Sequence, residues 1–548
     1  MNRLSQLPTL RVDPSRPLSL TYRGKPLHGV AGDTVATALF ANGVRIFGRS
    51  LKYHRPRGLY SLDGESGNTF MEVDGVPNVC TENHPLTAGM VVKEQNVVGS
   101  ANWDWLGFLD KLDWMMPAGF YYKTLHRPAA LWPLAMKQIR KAAGLGVISP
   151  DHRMEGRFDE LYPAADVTVI GGGAAGMAAA LAAAASGLRV VLLERRPHLG
   201  GSFDYRVSAG GDGTPLYDRA RQLAQSVKQS DNIRLFEHCA VVGTYGDNLI
   251  TAFQKGRPGD EFSERYIEIR SASVVVATGC IERPLLFDNN ERPGVMQVGC
   301  AHRLARTYGL LPGHAAVFAV GHDMGLEAAV DFHDLGMAVR CVADLREEGQ
   351  APALMRALAE RGIPVLMGWV AITAHGAKTV QRVTVGTLDG MVKRRFDCDL
   401  LVASAGFTPV TGPLAVAGAK MAYDSRTGYF LPTRLPDRMF CAGRIKGVNH
   451  PDAIEASGRL AGLKAAAAAG MHTDRANRAI ADARAALAGL SGPDRGCKVV
   501  SAPVKGRRCF VCFDDDATLK SVKQSIDMGF DIPELVKRFA GVGLGPGQ

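Results

Sequence analysis

The stretch DVTVIGGGAAGMAAALAAAASGLRVVLLE, residues 166–194, restricts this chain more than any other. Asp166–Ile170 is a short apolar run suited to a buried parallel strand, and Arg189–Leu193 is a second one ending at Glu194. Between them Gly171, Gly173 and Gly176 spell G-x-G-x-x-G, and Ala174–Ser186 is a strong helix former. Each part has a chemical reason. Gly171 permits the tight turn, Gly173 lets the backbone approach a pyrophosphate, and Gly176 lets the helix pack on the strand. The helix start offers N–H donors and a positive dipole end, and Glu194 can accept from a ribose hydroxyl. The glycines alone say little; with strand, helix, strand and acid in order they predict a Rossmann-type domain that grips a dinucleotide.

Three further segments extend the same machine. RRPHLGGSF follows Glu194 and places Gly200, Gly201 and Ser202 for a second turn under phosphate or ribose. VVVATG is an apolar strand ending at Thr278 and Gly279, suited to cross beneath the ligand. DRMFCAGRIKG brings Ala442 and Gly443 to the same edge. Residues 315–344 repeat the β-α-β pattern and end at Asp344, but their turn keeps only Gly321 and Gly325 and puts Asp323 where phosphate charge would sit. A second Rossmann domain with a structural role is expected there.

At 548 residues the chain is too long for one core. Its formal charge of +10 is modest, and the basic residues are dispersed among few aromatics, which favours anionic cofactors or an acidic partner over nucleic acid. Ten widely spread cysteines read as free thiols in a reducing compartment. No apolar signal region opens the sequence and no run suits a bilayer, so no membrane association and a cytoplasmic location are expected. One short segment, FGRSLKYHRPRG, concentrates Arg49, Lys52, Arg55 and Arg57, and a glycine-rich loop follows it. Which anion those cations face is not evident from the segment itself.

In order along the chain, FGRSLKYHRPRG, AGFYYKTL, VIGGGAAG, ATGCIERPLLFDNNERPGVM and LVKRFAGVGLGPGQ resemble the α subunit of heterotetrameric sarcosine oxidases and their N-methyl amino acid dehydrogenase relatives. The resemblance implies an α/β chain with an N-terminal β-grasp, ferredoxin-like domain at 17–98 and a connecting segment at 99–160. A dinucleotide-binding Rossmann domain follows at 161–285 and 410–472, with a second Rossmann-like domain at 286–409 and a small α-rich C-terminal domain at 473–548. It implies NAD in the first Rossmann site, with Ala175, Glu194, Arg195, Arg196, Ser202, Val241 and Ala442 in contact, Val241 through its backbone. FAD-binding members of the wider class carry Asp after the Ala-Gly pair. Arg444 replaces it here, which weakens FAD and leaves it as the alternative.

Amine oxidation in this family uses flavins in or against a β subunit, with smaller subunits completing the hetero-oligomer. FMN lies at the interface, and Lys52, Arg55 and Arg57 are candidates for its phosphate or for the facing acidic surface. The small substrate, sarcosine or another secondary amino acid, would bind on the partner. In cluster-binding relatives the loop after the basic segment carries four cysteines; their positions fall here on Ser61, Ser66, Thr69 and Glu82, with Cys80 beside the fourth. In the tail the cysteine positions of cluster-binding relatives fall on Cys512, Asp514 and Gly547, so only one thiol is kept and Cys509-x-x-Cys512 reads as structural thiols. Neither set suits a [2Fe–2S] cluster, and no metal is expected. Full-length relatives continue into a folate-binding domain, so a fragment, a split gene or a folate-free relative remain open. No residue is singled out as catalytic, and His450 reads as a packed or capping histidine. Two rival readings stand beside the family one: a self-sufficient FAD-dependent amine or imino acid dehydrogenase of opine or proline dehydrogenase type, and a scaffold whose dinucleotide is structural.

Overall fold

The computed structural model describes residues 3–64, 66–116, 130, 132–142, 146–147, 150–151, 153, 155–257, 259–471, 473–490 and 497–545. The AGFYYKTL segment and Gly547 lie outside the described residues. Two compact units result, the first from residues 1–152, 283–406 and 499–548, the second from 153–282 and 407–498.

The first unit begins with a mixed sheet in the order Lys25–Ala31, Asp13–Tyr22, Met90–Glu94, Phe70–Val73, Val76–Cys80. Asp13–Tyr22 runs antiparallel to Lys25–Ala31 and parallel to Met90–Glu94, which demands a crossover. The helix Val35–Ala41 lies on that crossover, started by Thr34 and Thr37, whose side chains cap each other's backbone N–H. This is the β-grasp arrangement. Its core is not private: Leu20, Leu39, Phe40 and Val92 belong to one buried cluster with Leu304, Phe318, Phe332 and Val402. The latter group packs around a parallel sheet ordered Val295–Met296, Leu400–Ser404, Ala315–Val320, Ala338–Asp344, Val365–Met367. In that sheet's first turn His322 caps the helix Asp323–Asp334, and Arg346 bridges Asp323 and Asp344 at 2.9 Å each. A carboxylate therefore sits at the helix start where an anion site needs free donors.

The second unit carries the sheet Ile233–Phe236, Val190–Leu193, Ala164–Ile170, Glu264–Val276, all parallel, continued by two antiparallel strands, Leu249–Lys255 and Cys239–Tyr245. Met439–Cys441 also pairs in parallel with Glu264–Val276. The alanine run 174–184 becomes a helix because straight small side chains cost no rotamer entropy, and its smallness is used in packing. The helix Pro451–Ala468 lies so close that a Cβ on Gly458 would overlap the Ala175 carbonyl, and one on Gly462 the Ala179 carbonyl. Among the described residues no helix is long and apolar enough to cross a membrane.

The stretch expected as one C-terminal domain, 473–548, is divided. The helix Asp474–Leu490 packs on Pro451–Ala468 in the second unit, whereas 499–548 builds into the first.

Candidate functional site

Strand register assembles the site in the second unit. Ile170 pairs with both Leu193 and Val276, and Val276 with Cys441, so the carboxyl ends of these strands finish together. In an open parallel sheet that edge is where ligands bind. The turns leaving it are Gly171–Gly173, Glu194–Ser202, Thr278–Gly279 and Ala442–Gly443.

Each glycine in the first turn answers a local steric demand. Gly171 has φ +106°, and a Cβ there would stand 2.5 Å from the Ala277 oxygen. A Cβ on Gly176 would overlap the Gly171 carbonyl. Opposite lies the second turn: Gly200 N–H donates to the Gly172 oxygen at 2.9 Å, and a Cβ on Gly201 (φ +58°) would come within 2.9 Å of the Gly173 Cα. Two bare backbones thus form a cradle. The helix Ala174–Ala184 starts at Gly173 with no side-chain cap and no acid in its first turn, so its leading N–H donors remain for an anion.

Glu194 is buried, and its carboxylate spans the loop from below. Its Oε2 accepts from Gly172 N–H at 2.6 Å and its Oε1 from Arg196 N–H at 2.8 Å. It ties the two turns to each other, leaving spare lone pairs for a ribose hydroxyl. Arg195 is exposed and Arg196 half-buried beside it; Ser202 is half-buried at the end of the second turn. Val241 lies two residues beyond Cys239, whose N–H donates to the Glu194 carbonyl at 2.8 Å. Thr278 faces inward, its hydroxyl donating to the Val410 oxygen at 2.7 Å, while Gly279 borders open space. Ala442 N–H donates to the Val276 oxygen at 3.1 Å, and Gly443 N–H to the Ser457 hydroxyl at 3.1 Å, setting Gly443 against Ala175. The cradle, the free helix start and the buried acid fit a nucleotide diphosphate. Sequence reasoning did not find Ser457 or Glu194's second role, because both depend on loops meeting across the sheet edge.

In the first unit the structure redirects the basic segment. Arg55, 4% exposed, donates through Nε to Glu291 (2.7 Å), through Nη1 to Asp110 (2.7 Å) and through Nη2 to Asn289 (2.8 Å). Burial disfavours its charge, but Glu291 and Asp110 more than offset this and raise its pKa. Arg57, 2% exposed, pairs with Asp516 and lies 3.6 Å from Glu291. Asp516 is fully buried and also accepts from Lys52 N–H (3.1 Å) and Tyr53 N–H (2.9 Å). The anions facing Arg55 and Arg57 are therefore carboxylates of the same chain. The assignment of Arg55 to a flavin phosphate is corrected, since all three of its nitrogens are bonded within this chain. Arg57 is held to the tail through Nη2 and Asp516, while its Nε and Nη1 are buried without hydrogen-bond partners. Lys52 differs, since its ammonium rests 5.0 Å from the Tyr53 ring centroid, and burial lowers its pKa against the pull of Asp516, Asp515 and Asp113.

Among its described residues the loop after the segment has no donor set for iron and sulfide. Ser66 caps a short turn by accepting from Asn68 N–H, and Ser61 accepts from Asp63 N–H at 3.2 Å. Glu82 takes Gly64 N–H at 3.1 Å and lies 3.5 Å from the Ser61 hydroxyl. Burial pushes the Glu82 carboxyl up to about 7. Glu82 Oε1 and Thr69 Oγ1 are buried without hydrogen-bond partners. Hydroxyls and a neutral-leaning carboxyl do not replace thiolates on iron, so the residues do not fit a [2Fe–2S] cluster. In the tail Cys509 is buried, its thiol pushed up to about 12 by that burial, and Asp514 accepts from Gly67 N–H at 3.1 Å. Those positions too serve packing.

Comparison with known proteins agrees with this layout. Residues 165–437 match the pyridine nucleotide-disulphide oxidoreductase family, 15–97 the 2Fe-2S iron-sulfur cluster binding domain, and 506–548 the sarcosine oxidase A3 domain. The sarcosine oxidase alpha subunit of Rhizobium meliloti (strain 1021) is 29% identical over 562 residues, covering 98% of this chain and 54% of the relative. Over nearly its whole length the chain is similar to sarcosine oxidase alpha subunits. It spans about half the length of those relatives. An opine oxidase subunit of Agrobacterium tumefaciens (strain Ach5) is 25% identical over 429 residues, covering 71% of this chain and 84% of that protein. Among solved structures, L-proline dehydrogenase from P. horikoshii shares the fold with a TM-score of 0.70 at 21% identity, over 98% of this chain and 90% of that one.

Proposed function

We propose that this chain is the nucleotide-binding, α-like subunit of a cytoplasmic flavin-dependent oxidoreductase that oxidatively demethylates sarcosine or a related secondary amino acid. The observation that carries the reading is the cradle of Gly173 against Gly201 at an uncapped helix start, tied by Glu194, in a chain similar to sarcosine oxidase alpha subunits. NAD is the proposed occupant and FAD the alternative. The helix start and the two glycine turns hold its diphosphate, Glu194 accepts from the adenosine ribose, and Arg195, Arg196, Ser202, Thr278, Gly279 and the backbones of Val241 and Ala442 line the rest.

Oxidation of the amine to an imine is flavin chemistry assigned to a β-type partner subunit, with FMN at the shared surface. Among the described residues none is assigned as acid, base or nucleophile in that step. The chain's part is to hold the nucleotide and to keep the β-grasp face rigid through the Arg55, Arg57 and Asp516 interlock, with Lys52 as a candidate for a flavin phosphate or an acidic facing surface. The ten free cysteines accord with a reducing compartment.

The test is to purify the chain alone and with its co-expressed partners, release bound cofactors by acid, and separate them by chromatography with mass detection. NAD from the single chain and sarcosine-dependent flavin reduction in the complex support the proposal. FAD from the single chain, with amine oxidation by that chain unaided, would replace it with the self-sufficient reading.

A further inference from the structure

The ligand edge of the second unit contains a buried cation whose donors are not all used. Arg444, 9% exposed, follows Gly443 directly. Its guanidinium carbon sits 3.8 Å from the Phe407 ring centroid, and Nε donates to Asn449 Oδ1 at 3.1 Å. Nη2 is buried with no hydrogen-bond partner. A desolvated guanidinium N–H without an acceptor is unfavourable and calls for a missing one.

Its surroundings indicate what that acceptor is. Gly443 packs on Ala175 in the first turn of the uncapped helix, where a Cβ would come 2.8 Å from the Ala175 Cβ. The Arg444 carbonyl accepts from the Cys280 thiol at 3.2 Å, one residue past Gly279, beside which there is open space. The helix start and the guanidinium therefore flank one region and share one sign of potential. Stacking on Phe407 fixes the plane of the guanidinium, and a planar fork is suited to phosphoryl oxygens.

We infer that Arg444 is the second arm of the diphosphate grip: the helix start takes one phosphoryl group, and Arg444 Nη2 donates to an oxygen of the other. The site then selects nucleotides carrying a diphosphate over monophosphates. This deepens the nucleotide-site reading and rests on it.

The experiment titrates the full chain with adenosine, AMP, ADP and NAD by calorimetry, for wild type, Arg444→Met and Arg444→Lys. Loss of a charge-assisted bond predicts that Arg444→Met weakens ADP and NAD by about tenfold or more while adenosine and AMP change little. Arg444→Lys keeps the charge and the packing, so it folds even if the methionine variant does not; it is expected to lose a smaller factor on ADP and none on AMP. If wild type binds neither ADP nor NAD, the nucleotide-site reading itself falls. If wild type binds both, but the variants lose as much on AMP as on ADP, or lose nothing, the site stands and the role of Arg444 is overturned.

Discussion

Replacing Asp516 by alanine tests the interlock in the first unit most directly. The side chain is fully buried, pairs with Arg57, and accepts from the Lys52 and Tyr53 N–H groups at 3.1 and 2.9 Å. Removing it strands a cation that is 2% exposed, with Glu291, 3.6 Å away and already bonded to Arg55, the remaining ion-pair partner among the described residues. Breaking a buried pair from one side costs about 3–5 kcal/mol. Arg57→Met alone strands the carboxylate and costs a similar amount. In the double variant both charges are gone, so the two losses should not add. A coupling of roughly 2 kcal/mol or more is expected from the cycle.

Hydrogen exchange by mass spectrometry is the suitable assay, because it reads local opening of the segment without requiring the whole chain to unfold in one step. Peptides spanning 48–60 and 510–519 should lose protection by a factor of at least ~100 in Asp516→Ala, at about 1.4 kcal/mol per tenfold. The double variant should recover much of that protection. Unchanged protection in the single variant, or strict additivity in the double, refutes the claim that the basic segment exists to hold the tail.

Three further outcomes follow from the geometry. Gly201→Ala places a Cβ 2.9 Å from the Gly173 Cα at a φ of +58°, so NAD affinity by calorimetry should fall about tenfold or more while the far-ultraviolet dichroism is unchanged. Glu82 has a folded pKa of about 7, raised by burial and by the nearby Asp63 above its ordinary 4.5, against Gly64 N–H, Arg303 and Ser61. The unfolded chain therefore ionises first. Stability should fall as pH rises from about 4.5 to about 7 and level off above, by a few kcal/mol, and Glu82→Gln should flatten that slope in thermal unfolding. Metal analysis of the purified chain should find substoichiometric iron, with no [2Fe–2S] absorption and no shift of the thermal midpoint on chelation; stoichiometric iron would contradict the donor set of Ser61, Ser66, Thr69 and Glu82.

Much of the proposed nucleotide site is local and hence legible in the chain order. Gly171, Gly173 and Gly176 meet steric demands within one turn, and Glu194 follows at the end of the next strand. Arg444 was visible as a departure from the wider pattern, but its unused donor was not, because that depends on Phe407 and Asn449 lying beside it. The basic segment misled for the same reason. Read linearly, Arg55 and Arg57 are cations in want of an anion. Their partners Asp110, Glu291 and Asp516 lie 55, 236 and 459 positions away.

By itself the sequence determined the periodic elements, the glycine turn with its acid, and the presence of Ser61, Ser66, Thr69 and Glu82, with no thiolate among them, in the loop after the basic segment. These follow from steric and chemical rules that act within a few residues. Tertiary structure alone decided which charges cancel, which buried donors remain open, and that the β-grasp core continues into the second Rossmann sheet. Such facts arise when strands far apart in the chain are brought into register and water is excluded between them.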